Sequence, residues 1–416
     1  MSRIQFTKQF GQFPALIWLY LVGTLMTRGC YYMVWPFLSV ILYREFSLSA
    51  TNIGMILTCS AVGSSLVGFY VGSLTDRIGR RSTILISGII GFIAFCLLAF
   101  ANSLWLYIVA ITLSSLSRAL WDSPSKALIG DLLKKAETRE MALQLSYFMT
   151  NVGVAIGPLI GILLGLSAQK ETFLFTATAY LILTVGLYIG FNYNAHLLKR
   201  QKLTTYNFSQ TIGILLNDHL FLVLIIANII VMFVYSHSDS SLIQYLTQAN
   251  APDLLQLISA LIITNSLTIV LFQFPLLRLL QNFSINQRIH VGLVLLFSSQ
   301  VLYIYSPVDS YWMWIGGMFI LSLGEAILFP TMNIQIDRLA PKHLRGSYFG
   351  ATSFYSLGYA SSPIIGGYII DQYGGSVLYE LTSILILLTV TLYLFSHRFK
   401  RPTFMTTDAI TEVTTE

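Results

Sequence analysis

The chain has 416 residues, with 24 lysines and arginines against 18 aspartates and glutamates, for a formal charge of +6. Only 10% of the residues are charged and 55% are hydrophobic. Soluble domains carry roughly a quarter charged residues, so a set of soluble domains is excluded and a polytopic membrane protein is expected.

Hydropathy places spans at about 14–42, 50–74, 82–101, 104–130, 142–166, 172–192, 219–245, 253–276, 289–307, 311–334, 348–370 and 377–396, twelve helices in an all-α membrane fold. Arg3 and Lys8 precede an apolar run that lacks a small-residue cleavage site, so the first span is expected to be retained. Cys30, Cys59 and Cys96 lie inside apolar runs at no metal-ligand spacing, and neither a disulfide framework, a metal site nor a cofactor is expected.

If the N-terminus is cytoplasmic, 19 of the 24 basic residues lie on that side and only Arg44 and Lys170 lie opposite; Arg28, Arg118 and Lys126 are within spans. That asymmetry predicts both termini inside and explains the positive charge without a nucleic-acid partner. Size and short loops point to a bacterial inner membrane.

The polar connection between spans six and seven divides the chain into an N-terminal six-helix bundle at 1–192, a cytoplasmic central loop at 193–218, a second bundle at 219–397 and a cytoplasmic tail at 398–416. An offset of 206 aligns Pro124 with Pro330, Asp131 with Asp337 and Arg139 with Arg345. An offset of 205 aligns Gly153, Ala155, Pro158 and Gly161 with Gly358, Ala360, Pro363 and Gly366. A duplicated six-helix unit is expected, with a substrate site between the repeats near mid-membrane.

Taken in chain order, span one carries Thr27-Arg28-Gly29-Cys30-Tyr31-Tyr32, with Arg28 near mid-depth. It partly resembles an element of proton-coupled peptide transporters, but Thr24 and Thr27 replace that family's two glutamates, which rules out proton coupling at those positions. Arg28 remains placed to pair with Glu325 or to bind a substrate carboxylate. Between spans two and three, Gly72-Ser73-Leu74-Thr75-Asp76-Arg77-Ile78-Gly79-Arg80-Arg81 resembles the G-x-L-A-D-R-x-G-R-K loop of the major facilitator superfamily. The resemblance implies that Gly72, Asp76, Arg77, Gly79, Arg80 and Arg81 latch the cytoplasmic side; read alone, they form a short basic loop that sets orientation.

In span four, Arg118, Asp122 and Lys126 stack along one helical face, and either cation could neutralise Asp122. A structural ion pair and a proton-coupling role for Asp122 both stay open. In span five, Gly153, Gly157, Pro158 and Gly161 resemble the G-x-x-x-G-P-x-x-G element of antiporters in that superfamily, which implies conformational gating and favours export. Generic small-residue packing is the plainer alternative.

Span ten reads Gly324-Glu325-Ala326-Ile327-Leu328-Phe329-Pro330, then Arg345-Gly346-Ser347-Tyr348-Phe349-Gly350, similar to drug and peptide transporters of the superfamily. An ionised Glu325 near the span's centre is costly unless partnered or hydrated, and protonation relieves that cost. Glu325 is the first candidate for proton coupling, ahead of Asp239 in Tyr235-Ser236-His237-Ser238-Asp239, which an ordinary solvated pair with His237 would also explain. Tyr31, Tyr32, Trp35, Trp121, Asn265, Gln273 and Tyr355 join Arg28 and Arg118 as candidates to line a cavity, though such side chains more often pack.

No H-E-x-x-H, G-x-S-x-G or Walker-type motif occurs, so an intramembrane enzyme has no visible centre. The P-E-S-P-R element of sugar porters is missing at Tyr193-Asn194-Ala195-His196. The reading is a monomeric secondary transporter that engages a small-molecule substrate, protons and the lipid bilayer, with multidrug-type efflux first. Uptake or exchange of peptide-like or siderophore-like solutes, and a ligand sensor descended from a transporter, are the alternatives.

Overall fold

The computed structural model describes residues 11–34, 38–48, 50–163, 170, 172–193 and 208–402. Among them the regular structure is entirely helical. Helices α1 (Ala15–Val34), α2 (Leu38–Phe46), α3 (Ala50–Ile78), α4 (Arg80–Phe100), α5 (Leu104–Leu132), α6 (Ala136–Leu163) and α7 (Thr172–Tyr193) precede the polar connection. After it come α8 (Phe208–Asn217), α9 (His219–Ser236), α10 (Ser241–Gln248), α11 (Leu254–Leu279), α12 (Ile285–Tyr305), α13 (Tyr311–Leu339), α14 (Arg345–Ala351), α15 (Tyr355–Tyr373) and α16 (Gly375–Phe395). Nine helical segments among the described residues are long and apolar enough to cross a membrane.

The surface is inverted relative to a soluble protein. Ile182, Val185 and Ile189 on α7, Ile262, Ile263 and Leu271 on α11, and Ile384 and Leu387 on α16 are all exposed, a disposition that hydrocarbon favours and water does not. Helix ends carry the polar work. Ser284 and Gln287 form a reciprocal cap at the start of α12. Asp218, fully buried, caps α9 by accepting from the Phe221 amide, and it also holds the Tyr348 hydroxyl at 2.6 Å and Arg401 Nη2 at 3.0 Å.

Two elements differ from the hydropathy reading. Part of the segment taken as central loop, Phe208–Asn217, is helical, because Thr211 and Leu215 lie one turn apart and bury a narrow stripe. The span expected over 219–245 stops at Ser236 and restarts at Ser241 as α10. Three serine hydroxyls compete for its backbone there: Ser236 donates to the Phe233 carbonyl, Ser238 to that of Tyr235 and Ser240 to that of Ser236.

Packing follows the same order before and after the connection. Helix α1 packs on α6 and α7, and α4 on α5 and α7; correspondingly α9 packs on α15 and α16, and α12 on α13 and α16. One apolar core, around Trp314, Tyr303 and Tyr379, is built wholly from residues after the connection. Another, around Tyr107, Phe95 and Phe173, is built wholly from residues before it. Contacts that cross run from α3 and α5 to α14, from α3 to α15, and from α6 to α11 and α13. These crossings position the site.

Candidate functional site

Glu325 is the middle residue of the 29-residue helix α13 and is 4% exposed. Helix α13 is apolar around most of its circumference, so its one central carboxylate must find donors on its neighbours. Tyr147 of α6 supplies one, its hydroxyl donating to Oε1 at 2.7 Å, and Asn265 of α11 supplies the other, Nδ2 donating to Oε2 at 2.7 Å. Asn265 Nδ2 also reaches Ser322 Oγ at 3.0 Å. Phe329, one turn along α13, stands edge-on to both Tyr147 and Tyr235 and walls the group in. The carboxyl is thus held by neutral donors, an arrangement that tolerates either protonation state. Asp239, exposed, accepts from the Tyr359 hydroxyl at 2.9 Å. His237 does not pair with it: the imidazole is buried, with Nδ1 on Ser241 Oγ at 2.8 Å.

A second polar group lies on α1 and α5. Arg28 Nη2 meets Asp122 Oδ1 at 3.0 Å, with side chains 18% and 47% exposed. Neither Arg118 nor Lys126, the neighbours one turn away on α5, takes that role, and Arg28 does not pair with Glu325. Asp122 is instead taken across helices, by the guanidinium that α1 brings to it. Tyr31 and Tyr32 stand edge-to-face at 5.2 Å beside this pair, and Tyr180 stacks on Phe95 nearby.

The remaining cavity candidates separate. Asn265 belongs to the Glu325 cluster. Tyr355 accepts from Asn228 Nδ2 at 2.9 Å and is partly exposed. Trp121 is buried against Tyr20 with ring centroids 5.6 Å apart, and Gln273 is fully buried with Nε2 donating to the Gln144 carbonyl at 2.9 Å. Both of these pack rather than line an open space. Trp35 lies outside the described residues.

The end of the molecule that carries the basic loops is tied shut. Asp76, at the end of α3, accepts from the Gly346 amide at 2.9 Å, the Ser347 amide at 2.7 Å and the Ser347 hydroxyl at 2.6 Å, and Arg80 Nη1 binds it at 2.6 Å. Arg80 also holds Asp131 at 3.0 Å through Nε. Arg139 meets Asp337 at 2.7 Å, Arg345 donates to the Gly130 carbonyl at 2.5 Å, and Arg288 pairs with Glu140. Gly72 is required here because a Cβ would run into the Gly346 carbonyl and the Gly350 backbone. Gly79, with φ +96, turns the chain from α3 into α4 in a conformation that side chains resist. Arg77 lies in the last turn of α3, and Arg81 binds Asn192 at 2.7 Å and covers the Tyr188 ring.

Along α6, Gly153 and Gly157 abut α1 at Arg28 and Gly29, so the glycine pair lets these two helices approach backbone to backbone. Pro158 and Gly161 lie further along the same helix.

Sequence reading missed Tyr147 and Glu140. Their signal was present: Gln144, Tyr147 and Asn151 put polar side chains at spacings of three and four on one face of a membrane helix.

Helices long and apolar enough to cross a bilayer, with a buried carboxyl contacted from both sides of the polar connection, have the frame a membrane transporter needs. The family model for the Major Facilitator Superfamily matches residues 20–356, and the chain belongs to that superfamily. It is 26% identical over 377 residues to a Na(+), Li(+), K(+)/H(+) antiporter of Planococcus maritimus, covering 83% of this chain and 87% of that one. It is 25% identical over 353 residues to the multidrug resistance protein MdtH of Yersinia pestis, covering 82% and 83%. The crystal structure of the human organic anion transporter MFSD10 superposes with a TM-score of 0.75 at 16% identity over 91% of this chain and 98% of that one, a likeness of fold.

Proposed function

We propose that the chain is a proton-coupled secondary exporter of small amphipathic compounds, working as a monomer by alternating access. In this reading twelve spans form two pseudo-symmetric bundles at 1–192 and 219–397, joined by the cytoplasmic connection 193–218 and followed by the tail 398–416. Both termini face the cytoplasm of a bacterial cell. The carrying observation is Glu325, held at the midpoint of α13 by the Tyr147 hydroxyl from the other side of the connection at 2.7 Å.

A carboxyl bridging the two halves couples its ionisation to their relative position, since any rocking motion must break or remake that bond. Glu325 takes a proton from outside, substrate arriving from inside promotes its release, and the halves rock to exchange access. The ties around Asp76 and Asp337, at the end read as cytoplasmic, support an outward-facing state. One proton crossing 100 mV contributes about 2.3 kcal/mol, enough for appreciable accumulation against a gradient. Asp239, exposed and accepting from the Tyr359 hydroxyl, is a second proton acceptor along the outer route.

Uptake or exchange of peptide-like or siderophore-like solutes draws less support, because Arg28, the cation that reading needs free, is engaged by Asp122. In everted vesicles, an imposed pH gradient drives accumulation of amphipathic dyes drawn from a panel of differing charge, and an ionophore that collapses the gradient abolishes it. Accumulation that persists after collapse contradicts proton coupling.

A further inference from the structure

We propose that Arg118 and Lys126, beside the Arg28–Asp122 pair, form a binding site for the acidic group of an anionic amphipathic substrate, one bearing a carboxylate, sulfonate or phosphate-type group; this rests on the exporter reading above and deepens it. The argument begins with unmatched charge. Arg118 is the middle residue of the 29-residue helix α5, and Asp122 and Lys126 follow at one-turn intervals on the same face. Asp122 is taken by Arg28 at 3.0 Å. Among the described residues, neither Arg118 nor Lys126 has an ion-pair or hydrogen-bond partner, although both are only partly exposed. Three cations therefore face one carboxylate at membrane depth.

Cations there are expensive unless they meet water or an opposite charge. The Asp122 side chain is 47% exposed, so this face of α5 is not sealed by packed side chains. The obvious internal counter-charge is withheld: Glu325, at the equivalent midpoint of α13, is satisfied by Tyr147 and Asn265, and Asp239 by Tyr359. An anionic ligand supplies the missing charge, and Arg118 offers the planar fork that matches a carboxylate or sulfonate. A cationic ligand would face net repulsion. The half-buried ring of Tyr32, edge-to-face with Tyr31 at 5.2 Å, gives the apolar remainder of the ligand a surface beside the charged site.

The test uses the whole protein in phosphatidylcholine nanodiscs, with 5-carboxyfluorescein and ethidium as the anionic and cationic probes and fluorescence anisotropy as the readout. Carboxyfluorescein is expected to bind the unmodified protein at least tenfold more tightly than ethidium. Arg118→Gln and Lys126→Gln each weaken carboxyfluorescein by about tenfold, and Arg118→Lys, which keeps the charge but not the fork, weakens it less than Arg118→Gln does. Tighter binding of ethidium to the unmodified protein, or glutamine variants within twofold of it for carboxyfluorescein, overturns the site. The first comparison needs no variant, so misfolding cannot leave the question open. Carboxyfluorescein binding without gradient-driven flux of any dye contradicts the exporter reading and leaves the anion site standing; gradient-driven ethidium flux without carboxyfluorescein binding does the reverse.

Discussion

Arg139 and Asp337 pair at 2.7 Å across the two parts of the chain, and the residues aligned with them by the internal repeat, Arg345 and Asp131, approach each other at 3.4 Å. Each repeat thus gives its arginine to the other repeat's aspartate. One ancestral pair of positions, duplicated, makes two crossed ties at the basic end, and Asp337 is also within 3.5 Å of Arg345 Nε. A network of this kind holds one of two arrangements in place and is released as a unit.

Asp337→Asn removes the carboxylate that both arginines share and should open the basic end. The coupling between such buried charged neighbours is on the order of 1–3 kcal/mol, a five- to hundredfold change in the ratio of closed to open forms. Electron-paramagnetic-resonance distances between spin labels at Lys134 and Lys342 should shift from a single short population toward a longer one. An unchanged distribution would show that Asp337 does not hold the closed form.

Gly72→Val should stop the same end from closing, because the added side chain meets the Gly346 carbonyl and Gly350 backbone, neither of which can give way as a flexible side chain would. A drop in the maximal transport rate of at least tenfold is expected, with normal elution on size exclusion. Gly63→Ala, where a Cβ meets nothing within 4 Å, is the matched control and should transport normally.

Tyr147→Phe deletes the hydroxyl that reaches Glu325 from the other half but keeps the ring against Phe329. A hydrogen bond to a charged group contributes about 1.5–3 kcal/mol, so gradient-driven flux should fall by roughly ten- to a hundredfold, with a modest loss of thermal stability from the buried carboxyl's missing donor. Flux equal to that of the unmodified protein would separate Tyr147 from the coupling step.

How far these features were legible in the sequence depends on whether their cause is local. Glu325 stood out because a lone acid in a long apolar run has few structural reasons to be there, and the Asp76 loop because it resembles the superfamily's G-x-L-A-D-R-x-G-R-K pattern. The repeat pointed to Asp131, Arg139, Asp337 and Arg345 without showing that they cross-pair. Tyr147 was hidden as one of 23 tyrosines, and nothing in its own neighbourhood names a partner 178 positions away. The Arg28–Asp122 pair was missed for a related reason: two nearer cations on α5 satisfied the local rule, and only the approach of α1 to α5 shows which one prevails. Trp121 and Gln273 drew attention as polar or aromatic groups in spans, yet burial decides their role, and burial is a property of the assembled helices.

The central claim is that the proton on Glu325 couples the two directions of transport, and Glu325→Gln in proteoliposomes tests it most directly. The variant should still exchange labelled for unlabelled substrate at equilibrium, because that half-cycle needs no net proton movement, while losing all accumulation driven by an imposed pH gradient. Gradient-driven accumulation at the unmodified rate in Glu325→Gln would contradict the account.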